Sequence, residues 1–321
     1  MRLGTYPTPV DRLADALGPG RDLWVKRDDL TSARYGGNKV RKLERVLADL
    51  VARGTGRIVT VGAAGSHHAL ATALYAGDVG VGVDAVLVPQ LETAHVVETL
   101  RATAHRARIF PASSFSHAGA AVADRVACGA HYIPSGGSTL LGSLAYADAA
   151  LELLEQVRRG ELPEPAVVVV ALGSGGTAAG LAAGFRSVGS KVRVLGVVVS
   201  EPVFWVTRKA RRLALAAAAK LSRGRDPGPP PLDIVASHLG EGYGRPTDVG
   251  SRAMAHAASF GLTLDGTYTA KAFAAACELG ANVGPVVYWH TLSSAPMAGL
   301  LAGTPEVHDL PPETRALLLG E

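Results

Sequence analysis

The sequence has few cysteines, and neither of them stands in a metal-binding motif. Only Cys128 and Cys277 occur among its 321 residues, which excludes a disulfide framework and leaves a single bridge as the alternative. Neither a Cys-x-x-Cys nor a His-Glu-x-x-His pattern is present, so we expect no metal site. This cysteine content is typical of a protein from a reducing compartment.

Long apolar runs are also missing from the sequence. No stretch of about 18 consecutive apolar residues occurs, and the first seven residues contain no apolar signal segment. We therefore expect neither a membrane span nor a membrane partner, and we predict a cytoplasmic location.

Aromatic side chains are scarce as well. They make up 5% of the chain, whereas hydrophobic residues make up 48%, so the core must be built from alanine, valine and leucine. A chain of 321 residues is long enough for a large core. At roughly 150 residues per domain, it suggests about two domains.

The net charge of +4 raises the question of a nucleic-acid partner. The densest basic cluster spans residues 208–212, and no aromatic residues are interleaved with it. Elsewhere lysine and arginine are mixed with aspartate and glutamate, which favours a solvated helix face over a stripe that binds nucleic acid. We therefore expect no nucleic-acid partner.

Patterns typical of strands and helices alternate along the chain. Residues 140–158 have the length of a long helix, whereas the β-branched run 166–172 predicts a central parallel strand buried on both faces. Such alternation predicts an α/β architecture of parallel sheets with helices on both faces. Ligands bind such sheets at the carboxyl ends of strands, so the loops at 36–39, 62–68 and 173–177 are the candidates.

Lys39 follows two glycines at the start of a predicted helix. Gly36 and Gly37 allow a tight turn before Asn38 and Lys39. Because the N–H groups and the positive dipole end of a helix start disfavour another cation, we expect a lowered pKa for this lysine. A neutral amine at this position can form a Schiff base. Taken alone, the motif also fits an ordinary surface lysine.

The loop at 173–177 joins the buried strand to the next helix. Its glycines permit close backbone approach, Ser174 and Thr177 supply hydroxyls, and the helix start supplies N–H donors. This combination suits an anion, above all a phosphate. The loop has neither the Gly-Lys-Ser/Thr ending of a P-loop nor the spacing of a dinucleotide fingerprint. The alternative is a tight turn without a ligand.

Further polar side chains stand in other loops. Ser66 is a predicted helix cap, and the remaining N–H groups of that turn can hold a carboxylate. The adjacent His67 and His68 point to different sides of a helix, so they cannot chelate one metal together. Tyr243 and Tyr268 lie in glycine-bearing loops, where a phenol serves as a proton donor or a stacking wall, or is a packing residue.

Four stretches, in this order, resemble one known family. They are RDDLT at 27–31, GGNKVRKLE at 36–44, YIPSGGS at 132–138 and GSGGTAAGL at 173–181. The combination is similar to the D-cysteine desulfhydrase and 1-aminocyclopropane-1-carboxylate deaminase family, and it covers nearly the whole chain. The resemblance implies pyridoxal 5'-phosphate as the cofactor and a small amino acid as the substrate.

The resemblance also implies an architecture. It is the α/β fold type II of pyridoxal-phosphate enzymes, with two open, twisted, mostly parallel sheets and helices on both faces. Residues 1–45 and 155–321 would form a larger cofactor-binding domain, and residues 46–154 a smaller α/β domain that closes over the substrate. The family habit predicts a homodimer.

The roles of single residues are likewise implied by the resemblance. The catalytic residues would be Lys39, Ser66, Tyr243 and Tyr268, with Lys39 as the Schiff-base lysine. The cofactor-binding residues would be Lys39, Asn38, His67, Gly173, Ser174, Gly175, Gly176, Thr177 and Thr291, with Thr291 against the pyridine nitrogen. The substrate-binding residues would be Ser66, His67, His68, Tyr243 and Tyr268.

The sequence departs from the family pattern around this predicted pocket. His67 stands where the family usually has asparagine, and Gly266 stands where it usually has proline. Leu292 and Ser293 replace a usual pair of glycines, and an acidic residue usual near Phe260 is missing. These departures suggest an altered substrate, an altered reaction or a weakened one.

Two pairs of residues favour one reaction within the family. Tyr268 with Thr269, and His290 with Thr291, follow the desulfhydrase pattern. A hydroxyl facing the pyridine nitrogen makes the ring a weaker electron sink, which the loss of a good leaving group tolerates best. We therefore predict β-elimination from an amino acid such as D-cysteine, with Lys39 removing the α-proton and with pyruvate and ammonia as products.

Three alternatives to this reaction remain. The first is a family member that acts on a different or larger amino acid, 1-aminocyclopropane-1-carboxylate included. The second is a catalytically weak relative that binds the cofactor. The third is a nucleotide-binding α/β protein without pyridoxal phosphate.

Overall fold

The computed structural model describes residues 1–13, 22–224 and 226–320. The strands are β1 (Val10–Arg12), β2 (Leu23–Arg27), β3 (Arg57–Ala63), β4 (Gly82–Val88), β5 (Gln90–Leu91), β6 (Arg108–Pro111), β7 (His131–Ile133), β8 (Val167–Leu172), β9 (Arg193–Val198), β10 (Leu232–Val235), β11 (Val286–His290) and β12 (Leu318–Leu319). The helices are α1 (Asn38–Ala52), α2 (His67–Gly77), α3 (Ala94–Ala104), α4 (Phe115–Ala127), α5 (Leu140–Arg158), α6 (Gly176–Ser187), α7 (Val203–Leu221), α8 (Asp248–Ala258), α9 (Thr269–Glu278), α10 (Ala298–Leu301) and α11 (Pro312–Arg315).

The chain divides into two units. The larger unit consists of Gly4–Lys42 and Ser138–Ala295, and the smaller unit of Met1–Leu3, Leu43–Gly137 and Pro296–Glu321. These bounds are not those expected from the sequence, 1–45 with 155–321 and 46–154. The roles expected for the two parts, cofactor binding and closure over the substrate, stay a prediction.

The larger unit is built on a six-stranded sheet in the order β1-β2-β11-β8-β9-β10. The neighbouring strands are parallel except for the edge pair of β1 and β2. The central strand β8 alternates its contacts: Val167 and Val169 face a core that includes Phe273 of α9, whereas Val168 and Val170 face a core with Leu181 of α6. Helices therefore cover both faces, and the predicted α/β fold class is confirmed.

The smaller unit contains a second parallel sheet, in the order β6-β4-β3-β7. A short parallel pair joins β12 to β5. The segment 43–137 and the carboxyl-terminal segment share one core, in which Ala64 and Leu100 pack with Leu310 and Leu317. This shared core explains why the carboxyl-terminal segment belongs to the smaller unit.

A buried network of charges lies at the end of β2 in the larger unit. The carboxylate of Asp28 accepts hydrogen bonds from Arg41 (2.9 Å), Tyr146 Oη (2.7 Å) and Trp289 Nε1 (2.7 Å). Burial alone would raise the pKa of Asp28, but Arg41 and its other partners outweigh that effect and lower it. The network joins β2, α1, α5 and β11 through one carboxylate.

Within the described residues, no helix combines the length and the apolar character needed to cross a membrane. In that same part of the chain, no group of three or more histidine, cysteine, aspartate or glutamate side chains could hold a metal ion.

Helices α5 and α6 approach each other closely because two glycines of α6 have no side chain. A Cβ atom at Gly180 would lie 2.0 Å from the carbonyl oxygen of Ser143, and one at Gly184 would lie 2.6 Å from that of Ala147. Backbone atoms cannot give way as a flexible side chain can. These two glycines therefore set the distance between α5, which carries Tyr146, and α6.

We predict that Gly180→Ala destabilises the protein by about 1–3 kcal/mol, because the new methyl group overpacks the α5–α6 contact. Gly119→Ala is the matched control, since a Cβ atom at this exposed position of α4 meets nothing within 4 Å. There we expect a gain of about 0.5–1 kcal/mol from helix propensity. Urea unfolding of both variants checks the difference, and equal midpoints would contradict it.

Candidate active site

Lys39 lies in the first turn of α1, in the larger unit. The turn before it needs glycine, since Gly37 has φ +87° and its Cβ atom would lie 2.7 Å from the carbonyl oxygen of Thr291. That oxygen accepts a hydrogen bond from the backbone N–H of Asn38 (3.1 Å). Lys39 Nζ donates to Asn38 Oδ1 (2.6 Å). The end of β11 therefore fixes the backbone that presents the lysine.

The amine of Lys39 is held in a poorly solvated environment. Burial lowers its pKa from 10.5 to about 8, and the opposing effect of Asp265 only partly offsets this. The pKa shift has the direction expected from the sequence, but its main cause is desolvation and not the start of the helix. A pKa near 8 leaves a usable fraction of neutral, nucleophilic amine at neutral pH.

The glycine loop, residues 173–177, follows β8 and leads into α6 within the same unit. Ser138 Oγ bonds Ser174 Oγ (2.6 Å) and accepts from the backbone N–H of Gly176 (3.1 Å). Thr177 Oγ1 accepts from Asn38 Nδ2 (3.1 Å). Asn38 thus contacts Lys39 with one side-chain atom and the glycine loop with the other, so the two predicted motifs meet.

Gly175 keeps the glycine loop close to α7. Its φ is +90°, and a Cβ atom there would lie 2.8 Å from the Cβ atom of Ala210. Lys209 is the residue before Ala210, and its pKa is lowered by burial. The helix N-terminus makes the surroundings of the loop electropositive, as an anion site requires.

Lys42 was not among the predicted site residues. Its side chain is buried. Burial lowers its pKa well below the ordinary value, and the positive charges of Lys39 and Lys209 lower it further. A bound anion would offset the repulsion that Lys39 and Lys209 exert on Lys42. The available signal was its i+3 spacing from Lys39, which places both on one helix face.

The two tyrosines predicted to flank a substrate lie in contact with each other. Tyr243 Oη and Tyr268 Oη are 2.5 Å apart, and their rings are nearly perpendicular, with centroids 5.7 Å apart. Burial raises the pKa of both phenols. A Cβ atom at Gly173 would lie 3.2 Å from the Tyr268 ring, so this pair borders the glycine loop.

Asp265 connects the tyrosines to the lysine. Its carboxylate accepts from the backbone N–H groups of Thr267 (2.9 Å) and Tyr268 (2.6 Å), which fixes the start of α9. The same charge acts on Lys39, and it works against release of the Lys39 proton. Asp265 was not among the predicted site residues.

The departures at 292 and 293 have structural consequences. Leu292 is buried. Ser293 Oγ accepts a hydrogen bond from the backbone N–H of Gly36 (2.8 Å), which a glycine could not provide. The replacement therefore adds a bond between the β11 end and the turn before Lys39. At Gly266, a further departure from the family pattern, an added Cβ atom would lie 3.6 Å from the Cβ atom of Pro246.

Ser66, His67 and His68 belong to the smaller unit. Ser66 caps α2 by accepting from the backbone N–H of Ala69 (3.2 Å), as predicted. His67 Nε2 lies 3.1 Å from His95 Nε2, whereas His68 Nδ1 lies 3.4 Å from Thr72 Oγ1. The adjacent histidines thus serve different neighbours. Their predicted contacts with substrate and cofactor stay predictions.

The sequence model of one protein family, described as pyridoxal-phosphate dependent enzymes, matches residues 1–291. The chain belongs to this family. It is 33% identical over 307 residues to a D-cysteine desulfhydrase of Salmonella newport (strain SL254), covering 89% of this chain and 91% of the relative. It is a pyridoxal-phosphate dependent enzyme.

Solved structures give the same fold. A crystal structure of an ACC deaminase homologue matches with a TM-score of 0.79 and 28% identity, over 94% of this chain and 95% of the other. A pyridoxal 5'-phosphate-dependent aspartate racemase matches with a TM-score of 0.65 over 91% and 92% of the two chains. At 16% identity, the racemase supports the fold alone.

The residues around Lys39 fit pyridoxal phosphate. The cofactor's aldehyde requires an amine that can be neutral, and the Lys39 pKa of about 8 provides one. Its phosphate requires hydrogen-bond donors and positive charge. The glycine loop offers both donors and the positive end of the helix dipole at the start of α6, and the buried Lys42 lies on the same face of α1 as Lys39.

We predict that acetylation of Lys39 in the apoprotein inflects near pH 8, because the amine loses its proton there. Asp265→Asn should move the inflection lower, since it removes a charge that holds the proton on. Limiting acetic anhydride and mass spectrometry of the Lys39 peptide measure the rate, with the exposed Lys220 as reactivity reference. An inflection above about pH 10 would show an ordinary lysine.

Proposed function

We propose that the protein catalyses β-elimination from a small β-substituted amino acid, with D-cysteine as the first candidate. D-Cysteine and water would give hydrogen sulfide, ammonia and pyruvate, with the C–S bond broken and the α-proton removed. The observation that supports this best is the Lys39 amine, bonded through Asn38 to the glycine loop. The identity of 33% to a D-cysteine desulfhydrase supports the substrate class.

In this proposal the larger unit holds the cofactor. Lys39 would bind its aldehyde carbon, and the N–H groups and hydroxyls of residues 173–177 would hold its phosphate, with Lys42 as a counter-charge. Thr291 would lie against the pyridine nitrogen, and Asn38 beside the ring. When bound, pyridoxal phosphate supplies an electron sink for the bonds at the substrate's α-carbon.

Lys39 would also move the α-proton. Its pKa of about 8 is suited to a base that works near neutral pH, because the neutral form is accessible and the protonated form is stable enough to accept. Asp265 favours the ammonium that results from proton uptake. One side chain thus binds the cofactor and takes the proton at different stages.

Tyr243 and Tyr268 would act as neutral hydrogen-bond donors. Burial raises the pKa of both phenols, so both stay protonated at neutral pH. The contact between their hydroxyls uses one of the two hydroxyl protons, and either phenol can be its donor. A donor at this place can hold the substrate or protonate a departing thiolate.

The residue after Tyr268 favours elimination over ring-opening. Thr269 is buried and its hydroxyl donates to Asp265 Oδ2 (2.7 Å), so this position contributes no carboxylate. In the deaminase pattern a glutamate stands there. Without it, a reaction with a good leaving group is favoured, because such a reaction makes the smaller demand on the electron sink.

A second candidate is the deamination of 1-aminocyclopropane-1-carboxylate. The structural match to an ACC deaminase homologue, at 28% identity, favours it. That substrate and water would give 2-oxobutyrate and ammonia. The two candidates are separated by the keto acid that forms.

We expect the holoenzyme to release sulfide and pyruvate in equal amounts from D-cysteine. A parallel assay with L-cysteine, β-chloroalanines of both configurations and 1-aminocyclopropane-1-carboxylate identifies stereochemistry and leaving group. Production of 2-oxobutyrate alone would favour the second candidate. Cofactor-loaded protein that releases no sulfide or pyruvate from these β-substituted amino acids would exclude β-elimination of this class.

Lys39→Ala should lower turnover by roughly 10³-fold or more, because it removes both the covalent anchor and the base. Lys220→Ala, at an exposed position of α7, is the matched control and should leave turnover unchanged. Borohydride reduction followed by peptide mapping gives an independent readout. It should fix the cofactor on the Lys39 peptide in the native protein, and attachment at another lysine would refute the assignment.

We also propose a cytoplasmic homodimer. The thiols of Cys128 and Cys277, which form no disulfide, fit a reducing compartment. Light scattering of the purified holoenzyme tests the dimer.

A further inference from the structure

Tyr243 lies in a loop that has few side chains to hold it. We call residues 239–244 the tyrosine loop. Its glycines Gly240, Gly242 and Gly244 all have positive φ, of 64°, 129° and 74°. Glycine adopts such angles freely but packs nothing against its neighbours. The position of the Tyr243 ring therefore depends on what binds the backbone of the loop.

Lys271 binds that backbone from the inside of the larger unit. Its side chain is buried, and Nζ donates to the carbonyl oxygens of Leu239 (2.7 Å) and Gly242 (3.1 Å). The two acceptors lie at the beginning of the loop and directly before Tyr243. Charge-assisted bonds of this kind are stronger than bonds between neutral groups.

Glu201 binds the same loop from the exposed side. Its Oε2 accepts from the backbone N–H of Tyr243 (3.2 Å). A Cβ atom at Gly242 would lie 2.7 Å from both carboxylate oxygens, so glycine is needed for this approach. Tyr243 is thus held on both sides of its own peptide group.

The inner contact comes from the helix that also positions Tyr268. Tyr268 directly precedes α9, and Lys271 is three residues further along the chain. Asp265 fixes Tyr268 through its backbone N–H, as described above. One rigid helix therefore determines where both phenols lie, and so the 2.5 Å separation of their hydroxyls.

We propose that Lys271 and Glu201 are positioning residues that hold the tyrosine loop and thereby place the Tyr243 hydroxyl against that of Tyr268. The catalytic part of this inference rests on the function proposed above. Burial lowers the pKa of Lys271, while Glu201 and Asp265 oppose that effect. A buried ammonium bonded to carbonyls is costly to maintain, and a positional role accounts for its presence.

Lys271→Met tests the proposal, because methionine keeps the length and removes the charge and the donors. We expect kcat to fall about 10- to 100-fold, as small misplacements of catalytic groups do, with cofactor loading unchanged. In the Tyr243→Phe background, the same substitution should cost less than about threefold, since the hydroxyl that it positions is already gone. Equal losses in both backgrounds would overturn the proposal.

A matched control is Lys26→Met. Lys26 is also a buried lysine, but it donates to Thr8, Glu152 and Gln156 and not to the tyrosine loop. Its effect on kcat should be the same with and without Tyr243→Phe. If the effect of Lys26→Met depended on Tyr243 as strongly as that of Lys271→Met, the double-mutant comparison would be detecting general destabilisation. That result would also overturn the proposal.

Hydrogen exchange gives a readout that needs no turnover. Amides of residues 239–245 should exchange at least about tenfold faster in Lys271→Met than in the native holoenzyme, with α6 unchanged. If the native enzyme turns over no β-substituted amino acid, this measurement still decides whether Lys271 holds the tyrosine loop. Unchanged exchange in the loop would refute it.

Glu201→Ala provides a second variant should Lys271→Met fail to fold. Glu201 is exposed, so its removal leaves the core intact. We expect faster exchange of the same amides and a loss of kcat that disappears in the Tyr243→Phe background. Glu201→Gln should retain most activity, because its amide oxygen can still accept from Tyr243. Loss of activity in Glu201→Gln equal to that in Glu201→Ala would argue against positioning.

Discussion

The arrangement of the larger unit depends on the buried carboxylate of Asp28. The carboxylate accepts from Arg41 on α1, Tyr146 on α5 and Trp289 on β11, whereas the backbone carbonyl of Asp28 accepts from the N–H of Gly37 (2.9 Å). A buried charge that is paired and fully hydrogen-bonded tolerates few alternative arrangements of its partners. Because Gly37 precedes Asn38 and Lys39 in the chain, the backbone carbonyl of Asp28 also fixes the turn that presents the Lys39 amine.

Burial explains the chemistry of the site more than any single charge. Desolvation lowers the pKa of Lys39 and Lys42 and raises that of Tyr243 and Tyr268. The amines are therefore pushed toward their neutral form, while the phenols keep their protons. A lysine able to act as nucleophile and base beside phenols able to donate suits Schiff-base chemistry and proton transfer. Asp265 limits the shift of Lys39, so its amine stays within reach of both protonation states at neutral pH.

Some features were predictable because their determinants are local. The cap of α2 at Ser66, the helix of residues 140–158 and the buried strand 167–172 follow from short patterns of polar, apolar and β-branched residues. The glycine turn before Lys39 and the glycine loop were recognisable for the same reason. Strand β11 was not predicted, although it lies at the centre of the larger sheet. Its short run of Val-Val-Tyr-Trp-His carries little periodicity, and only its neighbours β2 and β8 show that it is a strand.

The sequence alone thus determined the α/β fold class and, through the family that its motifs resemble, the cofactor, because these motifs are contiguous runs of residues. The tertiary structure alone decided which distant side chains meet. The contact between Tyr243 and Tyr268, the bonds of Lys271 to the tyrosine loop and the bond of Ser293 to Gly36 join segments that are separate in the chain. Hydrogen-bond partners and pKa shifts depend on burial and on neighbours brought together by folding, and no local pattern encodes either.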